Sequence, residues 1–294
     1  MKCRVTDAGC GKRNDGNIHS SPIFISCPEI GLHQKQENYD KSSGNKKMLQ
    51  WLDIHHPSPN IKMTASIVKQ QLHAFGNPEK AEHAKYFFKT GKGQYGEGDQ
   101  FIGCTVPESR NVAKANKNLS FEELRKLLND EYHECRLCAL IILVEQFKRA
   151  DNAKRKEIFD FYLANTHGIN NWDLVDVSAY TIVGERLLDK DRSVLYQLAE
   201  SENLWEQRIS VVSTMAFIRK NDFSDILKLS EKFLTHRHDL MHKACGWMLR
   251  EVGKRDEKTL TGFLDKHYRK MPRTMLRYAI EKLSLAQREI YMQK

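Results

Sequence analysis

The chain has 294 residues, a net charge of +9, 40% hydrophobic and 29% charged side chains. That is enough for one large domain or two small ones, and the basic excess favours an anionic partner. No run approaches the roughly 18 apolar residues of a bilayer-spanning helix, and MKCRVTDAGCGKRNDG lacks an apolar signal core, so a cytosolic, nucleoid-associated protein is expected and a membrane partner is not.

Residues 1–60 carry scattered Gly, Ser, Asn and Pro with no sustained period. They read as a disordered or poorly ordered N-terminal extension, and Met63 is a plausible alternative start. Residues 61–294 read as the folded domain. The seven cysteines suit a reducing compartment. Cys3, Cys10 and Cys27 lack zinc-ligand spacing, and Cys135 and Cys138 form a CxxC inside an apolar helical run, so core packing is expected there and no metal or cofactor.

Helical pattern begins near residue 64. Ile67, Val68, Leu72 and Phe75 form one apolar stripe. Asn77 and Pro78 read as N-cap and first turn of a helix over PEKAEHAKYFFK. GKGQYGEGDQFIG is Gly-rich but matches neither a dinucleotide fingerprint nor a P-loop, and reads as a shaped loop before a helix starting at Pro107. Ser120 to Glu123 reads as a capping box. Helix pairs follow to the C-terminus, with breaks near Asn221, Gly253 and Pro272. No segment alternates as a strand.

Within this series, Arg136, Trp172, Arg208 and Lys243 recur at spacings of 36, 36 and 35 residues. A period of that size marks a helical solenoid. The expected fold is therefore all-α, an α-solenoid of HEAT-like helical repeats whose inner helices form a concave basic groove. Most solenoids are scaffolds, so a function must be argued from residues.

Asp176 lies four residues after the Trp172 anchor, flanked by Val175 and Val177. A lone carboxylate there is costly to bury unless paired or open to a groove. It is either a salt bridge to a neighbouring repeat or a charge set opposite a developing cation. Asp173, one turn earlier, suits the helix N-terminus. Charged anchors would not sit in a core, so Trp172, which shares their phase, should face the groove. Trp247 holds the position equivalent to Asp176. A groove indole binds sugars and cationic bases, although solenoid tryptophans are usually core, and Trp205 is read as packing. Arg208, Lys243 and Arg250 could hold phosphates, with Arg136 and Arg277 in about the same phase at either end.

Together, NPEKAEHAKYFFK, GCTVPESR, NWDLVD, WEQR and GWMLRE resemble the AlkD-like DNA alkylation repair family, HEAT-like-repeat DNA glycosylases, from about residue 64 to the C-terminus. The resemblance implies that Asp176 is the catalytic carboxylate with Trp172 and Trp247 as its indole partners. It also implies that Arg208, Arg250 and Tyr86 contact DNA. The implied reaction is hydrolysis of the N-glycosidic bond of N3- or N7-alkylated purines in duplex DNA, without a snug base pocket; no cofactor is expected, and a monomer is, because solenoids of this size are commonly monomers. The loop with Tyr95, Gly96 and Gly98, and Asn171 before Trp172, depart from the family pattern and bear on substrate range. Two other readings remain: a non-catalytic HEAT-repeat DNA-binding module, and a scaffold that takes an acidic protein into its groove.

Overall fold

A computed structural model describes residues 63–293; the expected extension over residues 1–60 and Cys3, Cys10 and Cys27 lie outside the described residues. Helix α1 (Ala65–Ala74) starts at Thr64, whose hydroxyl accepts from the Ile67 N–H, and buries Val68 and Leu72. Helix α2 (Pro78–Phe87) starts where the sequence places it, with the Asn77 side chain accepting from the Lys80 N–H. It buries only Ala81 and is otherwise largely exposed.

The Gly-rich loop then leads to α3 (Val106–Ala115), which begins one residue before Pro107 with Thr105 and Glu108 in a capping box. Helix α4 (Phe121–Leu128) is capped by Ser120 through the Glu123 N–H. The Glu123 carboxylate also accepts from the Ala65 N–H of α1. Helix α5 (His133–Arg149) is buried on nearly every face, as an apolar helix inside a helical stack must be. Cys135 and Cys138 lie on it, fully buried, and burial pushes the Cys138 thiol up to about 12. They pack the core as expected.

The remaining helices alternate in two layers. They are α6 (Asn152–Leu163), α7 (Trp172–Ala179), α8 (Ser193–Glu200), α9 (Leu204–Ser213) with its short continuation α10 (Met215–Ile218), α11 (Ser224–Lys232), α12 (Asp239–Gly253), α13 (Glu257–His267), α14 (Arg273–Ala279) and α15 (Leu285–Met292). Helices α5, α7, α9, α12 and α14 each pack on the next. Against them lie α4 and α6 on α5, α8 on α9, and α11 and α13 on α12. This serial stacking of helix pairs is compatible with an α-solenoid. Among the described residues there is no strand, only a single bridge between Gln100 and Tyr132. Asn221 at φ 61°, Gly253 at the end of α12 and Pro272 before α14 lie at helix breaks.

One expectation fails. The charged anchors do not all line an open surface: Arg136 and Arg208 are buried. Arg136 bonds the Asp99 carboxylate at 2.7 Å and the carbonyls of Asp130 and Glu131. A guanidinium whose donors are met by a carboxylate and carbonyls tolerates burial. Charge alone did not decide which way these positions face.

Candidate active site

Asn171 caps α7, its side chain accepting from the Trp172 N–H at 2.8 Å. This sets the phase of the helix and places Asp176 on the side facing α9. Arg208 comes from the middle of α9. Its Nε donates to Asp176 Oδ1 at 3.0 Å and its Nη2 to Oδ2 at 2.9 Å. Its Nη1 donates to the Leu240 carbonyl at 2.7 Å, in the first turn of α12. One guanidinium therefore ties three successive inner helices together. The Asp176 side chain keeps 11% of its surface exposed and Arg208 only 5%. Burial pushes the Asp176 carboxyl up, Arg208 pulls against it, and the balance lies above the ordinary carboxylate value.

Arg208 was expected to hold a phosphate. Its fork is instead turned inward and occupied, so here it orients Asp176. A carboxylate has about four lone-pair sites. Arg208 takes two, and a small part of the Asp176 side chain remains exposed.

Trp172 opens α7 and is half-buried against aromatic side chains. Phe88 stacks on it with centroids 5.6 Å apart, and Phe87 meets it edge-on at 5.9 Å. The Tyr95 hydroxyl, from the Gly-rich loop, lies near its indole. Trp205 is buried, in keeping with the packing role read for it.

A second charged cluster supports this wall. His133, at the start of α5, bonds Asp173 at 2.8 Å through Nε2 and faces Asp99 at 3.5 Å through Nδ1. Burial would lower the His133 pKa, but Asp173 and Asp99 outweigh it and raise it to about 9. Burial would raise Asp99, but His133 and Arg136 hold it below its ordinary value. Asp99 also accepts from the side chains of Asn170 at 3.1 Å and Asn171 at 3.5 Å. Asp173 thus adds a histidine partner to its first-turn position. A concavity lined by Lys80, Phe88, Phe101, His133 and Asp173 lies beside this cluster. It borders Asp173, whose Oδ2 is taken by His133 while its Oδ1 is buried without a hydrogen-bond partner, and does not include Asp176.

The other expected residues are more scattered. Lys243, on α12, pairs with Asp239 at 2.8 Å and stays 40% exposed. Trp247 lies one turn further along α12, half-buried against the core. Arg250 pairs with Glu281, so its guanidinium is not presented to solvent as a phosphate contact would be. Tyr86 is 77% exposed, with Lys89 over its ring. Arg277 is exposed on α14. Sequence reasoning missed the parts played by Tyr95, Asp99 and His133. Asp99 stood inside a loop read as shaped, in which Tyr95 was noted only as a departure bearing on substrate range, and His133 stood three residues before an anchor.

The description DNA alkylation repair enzyme matches residues 68–283. The chain belongs to that family. No curated protein matches it. A solved structure, the predicted DNA alkylation repair enzyme from Enterococcus faecalis, is similar over 71% of this chain and 97% of its own, at 17% identity and a TM-score of 0.57. That likeness shows the fold. Membership supports a DNA repair role and makes DNA the implied substrate. Among the described residues no helix is long and apolar enough to cross a membrane, and no group of His, Cys, Asp and Glu is placed to hold a metal ion.

Proposed function

We propose that this protein is a DNA glycosylase hydrolysing the N-glycosidic bond of N3- or N7-alkylated purines in duplex DNA, with residues 61–294 as the repair domain. The observation that carries the reading is Asp176, a mostly buried but not fully enclosed side chain whose carboxylate is held bidentately by Arg208, in a chain of the alkylation repair family.

An alkyl group on N3 or N7 makes the purine a cation. When the C1′–N9 bond breaks, its electron pair neutralises the purine, so no strong general acid is needed. Positive charge moves to the sugar, and a water attacks C1′ and gives up a proton. Asp176 is a fixed anion whose attraction for the sugar grows as the bond breaks. Its free lone pairs orient the water. The sugar chemistry resembles glycoside hydrolysis with one carboxylate. Trp172 offers an indole to the cationic nucleotide, with Trp247 as the second indole. Lys243 is the best-placed phosphate contact because it remains exposed, Tyr86 is a further DNA contact, and Arg250 is a lesser one because of Glu281.

A second reading has its own observation. The Asp176–Arg208 pair joins neighbouring helices and so also fits a structural ion pair, in a DNA-binding module without catalysis. Base release from duplex DNA carrying 7-methylguanine, comparing wild type with Asp176→Asn, separates the two. Release by wild type and a loss of about 100- to 1,000-fold in the variant is expected. Salt-sensitive duplex binding with no release by either protein would leave the binding module.

A further inference from the structure

The Gly-rich loop between α2 and α3 holds one side chain, Tyr95, against the N-terminal ends of neighbouring helices. Its backbone is closed by its own hydrogen bonds, Gly96 N–H to the Lys89 carbonyl at 3.1 Å and Gly93 N–H to Glu97 Oε2 at 2.8 Å. Gly96 lies so close to α2 that a Cβ there would stand 2.5 Å from the Phe88 carbonyl oxygen. The far end is anchored by buried Asp99 on Arg136, Asn170 and Asn171.

Between these attachments Tyr95 projects half-buried. Its hydroxyl lies near the Trp172 indole. Its ring meets Trp205 edge-on at 6.0 Å and His238 at 6.4 Å. Those three partners belong to α7, to α9 and to the N-cap of α12, the same three helices that Arg208 joins through Asp176 and Leu240. Tyr95 therefore lies across the N-terminal ends of these three helices, one turn before Asp176 and Arg208.

We propose that Tyr95 is a specificity-determining residue of the Asp176 site, limiting it to purines with small alkyl groups. The proposal rests on the glycosylase reading above. A bulky adduct has to displace the phenol, breaking its two ring contacts. A methyl adduct leaves them in place. Moving Tyr95 also means straining a loop fixed at both ends, so the ring does not yield freely.

The test uses the full chain and duplexes carrying 7-methylguanine or 7-benzylguanine. Wild type should release the methylated base in preference, by about tenfold or more in kcat/KM. Tyr95→Ala should shrink that preference by about tenfold, and Tyr95→Phe, which keeps the ring, should preserve it. Affinities for the same duplexes with a 2′-fluoro sugar, which resists cleavage, should show the same pattern. Absence of base release by wild type would count against the glycosylase reading, and the fluoro-duplex affinities would still decide the role of Tyr95. Equal handling of the two adducts by wild type, in release or binding, or an unchanged ratio in Tyr95→Ala, overturns the proposal. Should Tyr95→Ala fail to match the wild-type circular dichroism and melting curve, Tyr95→Leu takes its place, with the same expected loss of preference.

Discussion

Two arginines at equivalent repeat positions, Arg136 and Arg208, each bury a guanidinium against a carboxylate from another part of the chain. Removing one partner from such a pair leaves an uncompensated buried charge, at a cost of about 3–5 kcal/mol. The pairs therefore hold Asp176 and the Gly-rich loop in single positions. His133 joins the Arg136–Asp99 pair, lying between Asp99 of the loop and Asp173 of α7, with Arg136 as the nearby like charge. Its pKa in the folded protein is raised to about 9, against about 6.5 in an unfolded chain. The folded state thus binds the proton more tightly. The stabilisation is fully present below about pH 6.5 and is lost as pH rises through about 9, amounting to about 3 kcal/mol at the acid end. Urea unfolding between pH 6 and pH 9.5 should show wild type losing stability relative to His133→Gln as pH rises. Parallel curves would show that His133 is neutral in the folded protein.

Among the helices, α7 is the element on which the site depends most, since it carries Trp172, Asp173 and Asp176. It continues through a π turn (Tyr180–Gly184) and a 3₁₀ turn (Glu185–Leu187). The π turn is packed against α9 and α10. Gly184 is where this contact is tightest: a Cβ there would stand 2.2 Å from the Ser213 carbonyl oxygen and 2.8 Å from Ala216 Cβ. Ordinarily Gly→Ala in a helix interior is favourable by up to about 1 kcal/mol. Here overpacking against backbone reverses the sign, and Gly184→Ala should destabilise by about 1–3 kcal/mol. Thermal unfolding of the variant reads this directly; a melting temperature at or above wild type would mean that α7 and α9 can move apart freely. The start of α7 was visible in NNWDLVD, because an N-cap and a first-turn acid are local signals. Its π turn was not, because that distortion answers to the neighbouring helix.

Across the whole chain, the charge of +9 predicts duplex binding that weakens with salt, with a slope set by the number of phosphates neutralised. Lys243 is the expected phosphate contact left most available, being 40% exposed and paired only at the surface with Asp239. Lys243→Ala should weaken binding about evenly across sequences and reduce the salt slope by about 1. Arg250→Ala serves as the comparison, since Glu281 already occupies that guanidinium. Titration of undamaged duplex at several salt concentrations gives both slopes. An unchanged slope for Lys243→Ala would move the phosphate track away from α12.

The helical repeat, most caps and the position of Asp176 in its motif were all readable in the chain, because each depends on residues a few positions apart. So was the family, whose short motifs recur in order. The facing of the anchors was not. Arg136 meets Asp99 across 37 residues, His133 meets Asp173 across 40 and Arg208 meets Asp176 across 32. Periodicity shows that these positions are equivalent without showing whether a carboxylate waits opposite, and that partner settles whether a charge is buried or solvated. Tyr95 is the clearest case: its place beside Trp172, Trp205 and His238 follows from how a loop anchored at Asp99 lies across three stacked helices. No local pattern in GKGQYGEGDQF contains that information.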